Sequence, residues 1–408
     1  MRFIIYKTFL LLFSMWYDVS RSHLSGMRTT NFCEVSDSIG QGAVLRLTCS
    51  PFVVWEADSG GDSSIPRTVV VFWIEVSMSP KHPGPVFIVG APRTGTTLIR
   101  EILTLHPDIH IYDEVHFCER IFDRFGERPE LEPETLKSAA RHLLTETKWG
   151  GATDDLEASI AKLIETAGPS PVTYADLFRG YLEFEAAIHG KTVWGDSSPQ
   201  DILYMDLLKS WYPEAKFITV VRDPRAYLAS YKNYVRKGIS SYRNRYNPII
   251  NSLLWKRYMN TAVGAADRSW HGDVMRMHYE HLVGNPEKSI RKLCRFIGLE
   301  FHEGMLQVGR QNSSYIAVKD DYAAKGINQQ SLERWRGSLS VAEQWIVEQV
   351  AAGPMTRLGY TAEIRRLPIS QWPSLLGYLF LLPPRLFNML FRSRKPFTFA
   401  KLRKVLGG

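Results

Sequence analysis

The stretch Pro85-Val86-Phe87-Ile88-Val89-Gly90-Ala91-Pro92-Arg93-Thr94-Gly95-Thr96-Thr97-Leu98 decides how the chain folds. It opens on an uninterrupted apolar run, the pattern of a strand buried on both faces of a parallel sheet. Gly90 and Gly95 frame a turn, and a helix is expected over 97–105, ending at His106-Pro107. Such a junction offers backbone N–H groups and partial positive charge to an anion.

A nucleotide-triphosphate loop reads G-x-x-x-x-G-K-[ST], with its lysine on the terminal phosphates and its hydroxyl on magnesium. Here the glycine spacing is kept, but Thr96 follows Gly95 and the fixed cation stands upstream at Arg93. The loop predicts an anion held by Arg93, the amides and the hydroxyls of Thr94, Thr96 and Thr97, without a metal. A plain strand-turn-helix junction accounts for the strand but not for an arginine and three hydroxyl residues around one turn.

A second element follows the same logic. Lys216-Phe217-Ile218-Thr219-Val220-Val221 reads as a buried strand, Arg222-Asp223-Pro224-Arg225 breaks it, and helical patterning continues over 226–237. Ser230 lies eight residues after Arg222, so a chain folding back from strand to helix can bring guanidinium and hydroxyl to one ligand. Taken alone, an arginine at a strand end is more often solvated or salt-bridged.

Together these elements resemble the sulfotransferases that use 3′-phosphoadenosine 5′-phosphosulfate, nearest to the tyrosylprotein sulfotransferase branch and related bacterial sulfotransferases. In that family a P-[KR]-[ST]-G-T-[TS] loop grips the 5′-phosphosulfate, and a strand ending in Arg with Ser eight residues on grips the 3′-phosphate. Pro92 to Thr97 and Arg222 with Ser230 match. The resemblance implies a catalytic base at Glu114, twenty-one residues after Arg93 and beside Asp113, and a tyrosine near the nucleotide at Tyr279. It also implies a late loop over the 3′-phosphate, through residues 325–328 and 331–335, where Arg334 takes the place of a family lysine. The likeness runs from about residue 85 to 360. One departure stands out: in Trp194-Gly195-Asp196-Ser197-Ser198-Pro199, Ser197 occupies the position of a lysine thought to assist the leaving group. That leaves Arg93 as the cation for the role.

The chemistry follows from charge. Sulfuryl transfer moves SO3 between two oxygens while negative charge grows on the departing phosphate, so positioning and charge stabilisation carry most of it. The acceptor hydroxyl must lose its proton, and a carboxylate in reach suffices. Glu114 is the first choice, with Asp113, Asp196 and His116 as rivals. Selecting a donor with a 3′-phosphate requires groups left unpaired in its absence, the role of Arg222, Ser230 and Arg334.

The remainder of the chain fits one large α/β core. Strands over 86–90, 216–221 and 274–278 alternate with helical patterns over 134–148, 156–166, 174–188, 253–270 and 286–297. This predicts a P-loop-type, mostly parallel sheet covered by helices on both faces, forming a single catalytic domain over 78–363. Ligands in such sheets sit at the carboxyl ends of the strands.

The net charge of +8 is concentrated in the tail: residues 364–408 hold nine Lys or Arg and no Asp or Glu, leaving −1 for the rest. A general nucleic-acid footprint is therefore excluded. In the tail, Trp372 to Leu382 is apolar but too short for a span of about twenty residues. Two readings of this basic, apolar tail follow: peripheral contact with anionic lipid, or packing on the body or on another subunit of a homodimer.

Residues 1–77 mix a short apolar start with Ser, Gly and β-prone pieces such as 68–76, and the functional protein is expected to begin near Met78. Cys33, Cys49, Cys118 and Cys294 have no metal-ligand spacing. The expected compartment is cytoplasmic, at or near a membrane surface, with a Golgi-type anchored enzyme as the alternative. The acceptor hydroxyl belongs to a protein tyrosine, a carbohydrate or a lipid. A P-loop kinase or NTPase, and a non-catalytic nucleotide-binding relative, are the competing functions.

Overall fold

Successive side chains of β4 (Val86–Gly90) enter two different cores, which is the physical reason its sequence is apolar throughout. Val86 and Ile88 pack with Ile99, Ile102, Ile218, Val220 and Met275. Phe87 and Val89 face the other way, and the Phe87 ring stacks on Phe217, Tyr212 and Phe178 with centroids 5.6, 5.9 and 6.2 Å apart.

The computed structural model describes residues 38–39, 43–53, 68–77, 84–125, 130–146, 155–236, 246–308 and 332–387. Two compact units are present, Met1–His82 and Pro83–Gly408. The first contains an antiparallel sheet of β1 (Ser38–Ile39), β2 (Ala43–Val53) and β3 (Thr68–Ser77). The short apolar start at residues 1–18, the start expected near Met78 and the loop at 325–328 lie outside the described residues.

The second unit is built on a five-stranded, wholly parallel sheet. With β5 (Ile109–Asp113), β6 (Val193–Ser197), β7 (Lys216–Val221) and β8 (Val274–His278), the order is β5-β6-β4-β7-β8. Helices α1 (Thr96–Thr104), α2 (Pro133–Glu146), α3 (Leu156–Ala167), α4 (Tyr174–Ile188), α5 (Pro224–Arg236) and α6 (Pro248–Gly264) follow in chain order. After them come α7 (Tyr279–Gly284), α8 (Pro286–Ile297), α9 (Trp335–Ser338), α10 (Val341–Val350) and α11 (Trp372–Phe380). Buried residues of α1 and α8 complete one core, while those of α2, α3, α4 and α6 complete the other, so helices cover both faces.

The expected strands at 86–90, 216–221 and 274–278 form at those bounds. α6 begins at Pro248, five residues before the apolar pattern suggested, because Asn247 caps it by accepting from the N–H groups of Ile249 and Ile250. It also ends earlier, at Gly264 rather than 270. Strands β5 and β6 were not anticipated.

β4 sits mid-sheet: the chain runs from it to β5 at one edge, returns to β6 beside it and then crosses to β7 and β8 on its other side, a reversal that opens a crevice at its carboxyl end. Register decides what meets there. Gly90 lies opposite Val220, and Val221 opposite His278, so the glycine loop, Arg222 and Tyr279 emerge side by side. On the other flank Asp113 lies opposite Ser197, so Glu114 and Ser198 emerge together. The approach of β6 to β4 requires Gly195, where a Cβ would stand 2.0 Å from the Val86 carbonyl oxygen and 2.7 Å from Ile111 Cδ1. Gly195→Ala is expected to destabilise the protein by about 3 kcal/mol, read as a lower urea midpoint with an unchanged slope; an unshifted midpoint would refute this close approach.

Candidate active site

The turn after β4 is closed from inside. Thr94 is fully buried, its hydroxyl donates to the Ala91 carbonyl at 2.7 Å, and its amide donates to the same oxygen at 3.2 Å. Arg93 takes φ 72° and Gly95 φ 107°. Gly95 is needed for its conformation and for space, since a Cβ would stand 2.4 Å from the Tyr279 ring. Gly95 is also the N-cap of α1 and supplies no side-chain cap, so the amides at Thr96 and Thr97 open the helix without one.

Two guanidiniums converge on this turn. Arg222, buried one residue past β7, donates through Nη1 to the Arg93 carbonyl at 3.2 Å, and its charge lies 4.1 Å from the centre of the Tyr279 ring. Its Nε is buried with no hydrogen-bond partner among the described residues. The Arg93 guanidinium lies 4.8 Å from the centre of the Tyr234 ring. Burial lowers the Arg93 pKa; Tyr234 opposes that shift, Arg222 adds to it, and Glu114 and Tyr279 oppose it. Arg93, Thr94, Gly95, Arg222, Tyr279 and Glu114 therefore share one neighbourhood.

Ser230 is buried within α5, and Arg334 stands immediately before α9. What ties α9 to this end of the sheet is Trp335, whose ring lies 4.2 Å under the Arg225 guanidinium. Arg225 pairs with Asp223 Oδ2 at 2.7 Å and Glu348 Oε1 at 3.0 Å, all three being buried. Sequence reasoning missed Tyr234 and this ion cluster. Tyr234 falls one helical turn after Ser230, a spacing that could have flagged it.

Beyond β5, Glu114 and His116 both adopt left-handed backbone, with φ 57° and 55°. The strain is held by β6: Asp196 Oδ1 accepts from the Val115 amide at 3.2 Å, and Ser198 Oγ accepts from the His116 amide at 2.8 Å. The Glu114 carboxylate lies 3.8 Å from His116 Nε2 and acts electrostatically on Arg93. Of its rivals, Asp113 is buried facing Arg100 Nε at 3.5 Å, and Asp196 is buried holding the loop. Ser197, in the lysine position, is buried at the end of β6.

Behind this loop lies an acidic interior. Among the described residues neither side-chain oxygen of Asp201 has a hydrogen-bond partner, nor does Asp196 Oδ2. Burial pushes Asp196 up to about 6, and burial followed by repulsion from Asp196, Glu119 and Asp123 pushes Asp201 well above its ordinary 3.8. A raised carboxyl pKa means that the folded state favours the proton. Its stabilising contribution is complete below the unfolded value and is lost as pH rises through the folded one. Asp201→Asn is expected to raise the melting temperature at about pH 8, by an amount that shrinks toward about pH 4. An equal gain at both pH values would mean that folding does not raise the Asp201 pKa.

Comparison with known proteins was made against this geometry. Protein-tyrosine sulfotransferase 1 of Danio rerio is 27% identical over 294 residues, covering 67% of this chain and 72% of that protein. Nodulation protein NoeE of Sinorhizobium fredii (strain NBRC 101917 / NGR234) is 26% identical over 304 residues, covering 68% of this chain and 66% of that protein. Among solved structures, the sulfotransferase domain from the Synechococcus PCC 7002 olefin synthase matches at 22% identity and TM-score 0.44, covering 71% of this chain and 98% of that one. The model of the sulfotransferase family matches residues 85–303, which hold β4 to β8, the glycine turn, Glu114, Arg222 and Tyr279. That match takes in more than half of the chain, which therefore belongs to the sulfotransferase family and is an enzyme of sulfuryl transfer.

Proposed function

We propose that the protein transfers the sulfuryl group of 3′-phosphoadenosine 5′-phosphosulfate to an acceptor hydroxyl, with Arg93 and Glu114 as the catalytic pair. The observation that carries the reading is Arg222, with Nη1 on the Arg93 carbonyl, its face on Tyr279 and a buried Nε without a partner among the described residues. Such a group suits a ligand with a second phosphate, because a buried unmatched donor is costly.

The donor supplies SO3 and a phosphate as leaving group. At the 5′ end, the amides of Gly95, Thr96 and Thr97, the hydroxyls of Thr96 and Thr97 and the Arg93 guanidinium neutralise charge as the S–O bond to that phosphate breaks. Thr94 contributes chiefly by holding the turn, since its hydroxyl donates to Ala91. At the 3′ end, Arg222, Ser230 and Arg334 bind the second phosphate, and Tyr279 keeps Arg222 and the turn in fixed relation. As the acceptor oxygen bonds to sulfur, Glu114 takes its proton. The positions of Arg93 and Glu114 support transfer across the gap between them, with Arg93 stabilising the departing side and Glu114 deprotonating the attacking side.

The names of several relatives, including the Danio rerio protein-tyrosine sulfotransferase 1, make a tyrosine hydroxyl in a protein the first acceptor to test. Labelled donor would be offered with tyrosine-bearing acidic peptides, glycans and lipid extracts. Glu114→Gln is expected to lower turnover by about a hundred- to ten-thousandfold while leaving calorimetric binding of adenosine 3′,5′-bisphosphate intact. Arg222→Ala should weaken that binding by about 2 to 3 kcal/mol. Full turnover in the Glu114 variant would remove it as the base, and unchanged nucleotide affinity in the Arg222 variant would remove the 3′-phosphate site.

A further inference from the structure

Helix α11 turns large apolar side chains away from the protein. Helix α11 is tied down by Tyr378, whose hydroxyl donates to Glu343 Oε1 at 3.1 Å and whose carbonyl accepts from Asn247 Nδ2 at 3.1 Å. Leu375 and Tyr378 are half-buried on that inner side. The outer side carries Trp372, Leu376, Leu379 and Phe380, spaced as one helical face and exposed by 50, 58, 44 and 82%. Ile369, just before the helix, is 86% exposed. Such clustering of large apolar side chains is unlike the scattered single exposures of an ordinary surface.

Charge says what covers the face. Arg365 and Arg366 are exposed ahead of it, and seven more Lys or Arg follow from Arg385 to Lys404, with no Asp or Glu anywhere in 364–408. A second copy placed against this face would bring two such basic flanks together, and like charges in close juxtaposition oppose association. An anionic bilayer supplies both an apolar layer for the face and negative headgroups for the flanks. Trp372 is the residue type that settles at the headgroup boundary. Among the described residues no helix is long and apolar enough to cross a membrane, so contact of this kind lies in the plane of the surface.

We propose that the outer face of α11, with its basic flanks, docks the protein on anionic lipid surfaces, the helix lying parallel to the membrane. The surface uses no residue assigned to the nucleotide pocket, so this docking and the proposed chemistry stand or fall separately.

The test is vesicle flotation of the full chain on phosphatidylcholine alone and on phosphatidylcholine with phosphatidylglycerol. Recovery is expected to be about tenfold greater on the anionic vesicles at about 0.1 M salt and to fall at about 0.5 M. The combined variant Trp372→Ser, Leu376→Ser, Leu379→Ser and Phe380→Ser should lose about tenfold of that recovery. It should keep its melting temperature and its binding of adenosine 3′,5′-bisphosphate, since all four side chains are exposed. Equal recovery on neutral and anionic vesicles overturns the proposal, as does retention by the variant or absence of flotation. A dimer seen by light scattering that the variant dissolves, without flotation, would assign the face to a second copy instead.

Discussion

The structure depends on the register that sets the ends of β4, β7 and β8 side by side. Because Gly90 faces Val220 and Val221 faces His278, the three chain segments leaving these strands share one crevice. The Arg222 guanidinium reaches across to the Arg93 carbonyl, and Tyr279 fills the space that Gly95 leaves open. Two cations are thereby held near each other in a desolvated place. Aromatic faces at Tyr234 and Tyr279 soften the cost, and Glu114 offsets part of it. A donor set fixed in this way before ligand arrives need not reorganise when negative charge develops, which is where electrostatic catalysis gains most.

A second register, between β5 and β6, governs the acceptor side. It brings Asp196 and Ser198 under a loop in which two non-glycine residues are left-handed, a conformation costing about 1 to 3 kcal/mol for each residue. The hydrogen bonds to Val115 and His116 oppose that cost and hold the loop that carries Glu114. Asp196 is thus better suited to holding this loop than to serving as a base: it is buried, it accepts from a backbone N–H, and its carboxyl favours the proton up to about 6. The acidic interior behind it is destabilising in itself, and its persistence beneath this loop fits the expectation that strain and unmatched polar groups collect near functional sites.

How far all this could be read from sequence depended on burial. Strands β4 and β7 announce themselves because burial on both faces leaves runs such as Phe217 to Val221 with little or no polar interruption, while the edge strand β8 shows the alternation of a half-buried one, with Met275 and Met277 inside. β5 reads Ile-His-Ile-Tyr-Asp and β6 reads Val-Trp-Gly-Asp-Ser, and neither looks like a buried strand. Their polar residues are there for the loop they support, and Gly195 is there for the carbonyl of Val86, so tertiary demands override the local pattern. The meeting of Arg93 and Arg222 at one turn was legible because each stands at a fixed place in a strand-to-helix motif. Tyr234 was not, since a ring under a guanidinium leaves no motif, only a helical repeat from Ser230.

The late part of the chain shows how a residue remote in sequence is brought to the pocket. Arg225 is buried against Asp223 and Glu348, reaches Glu363 Oε1 at 3.1 Å, and stacks on Trp335. Glu348 in turn accepts from the amides of Glu363 and Ile364 at 3.1 and 2.8 Å. A hydrophobic replacement of such a cluster could match its stability, because desolvating three charges consumes most of their attraction. What apolar side chains would lack is direction. The planar guanidinium has few satisfactory arrangements, so it fixes α9 and α10 at one setting relative to the end of β7, and Arg334 with them. The cluster is therefore best understood as alignment: Arg225, three residues after Arg222, sets the segment that begins at Arg334 and Trp335 against the end of β7.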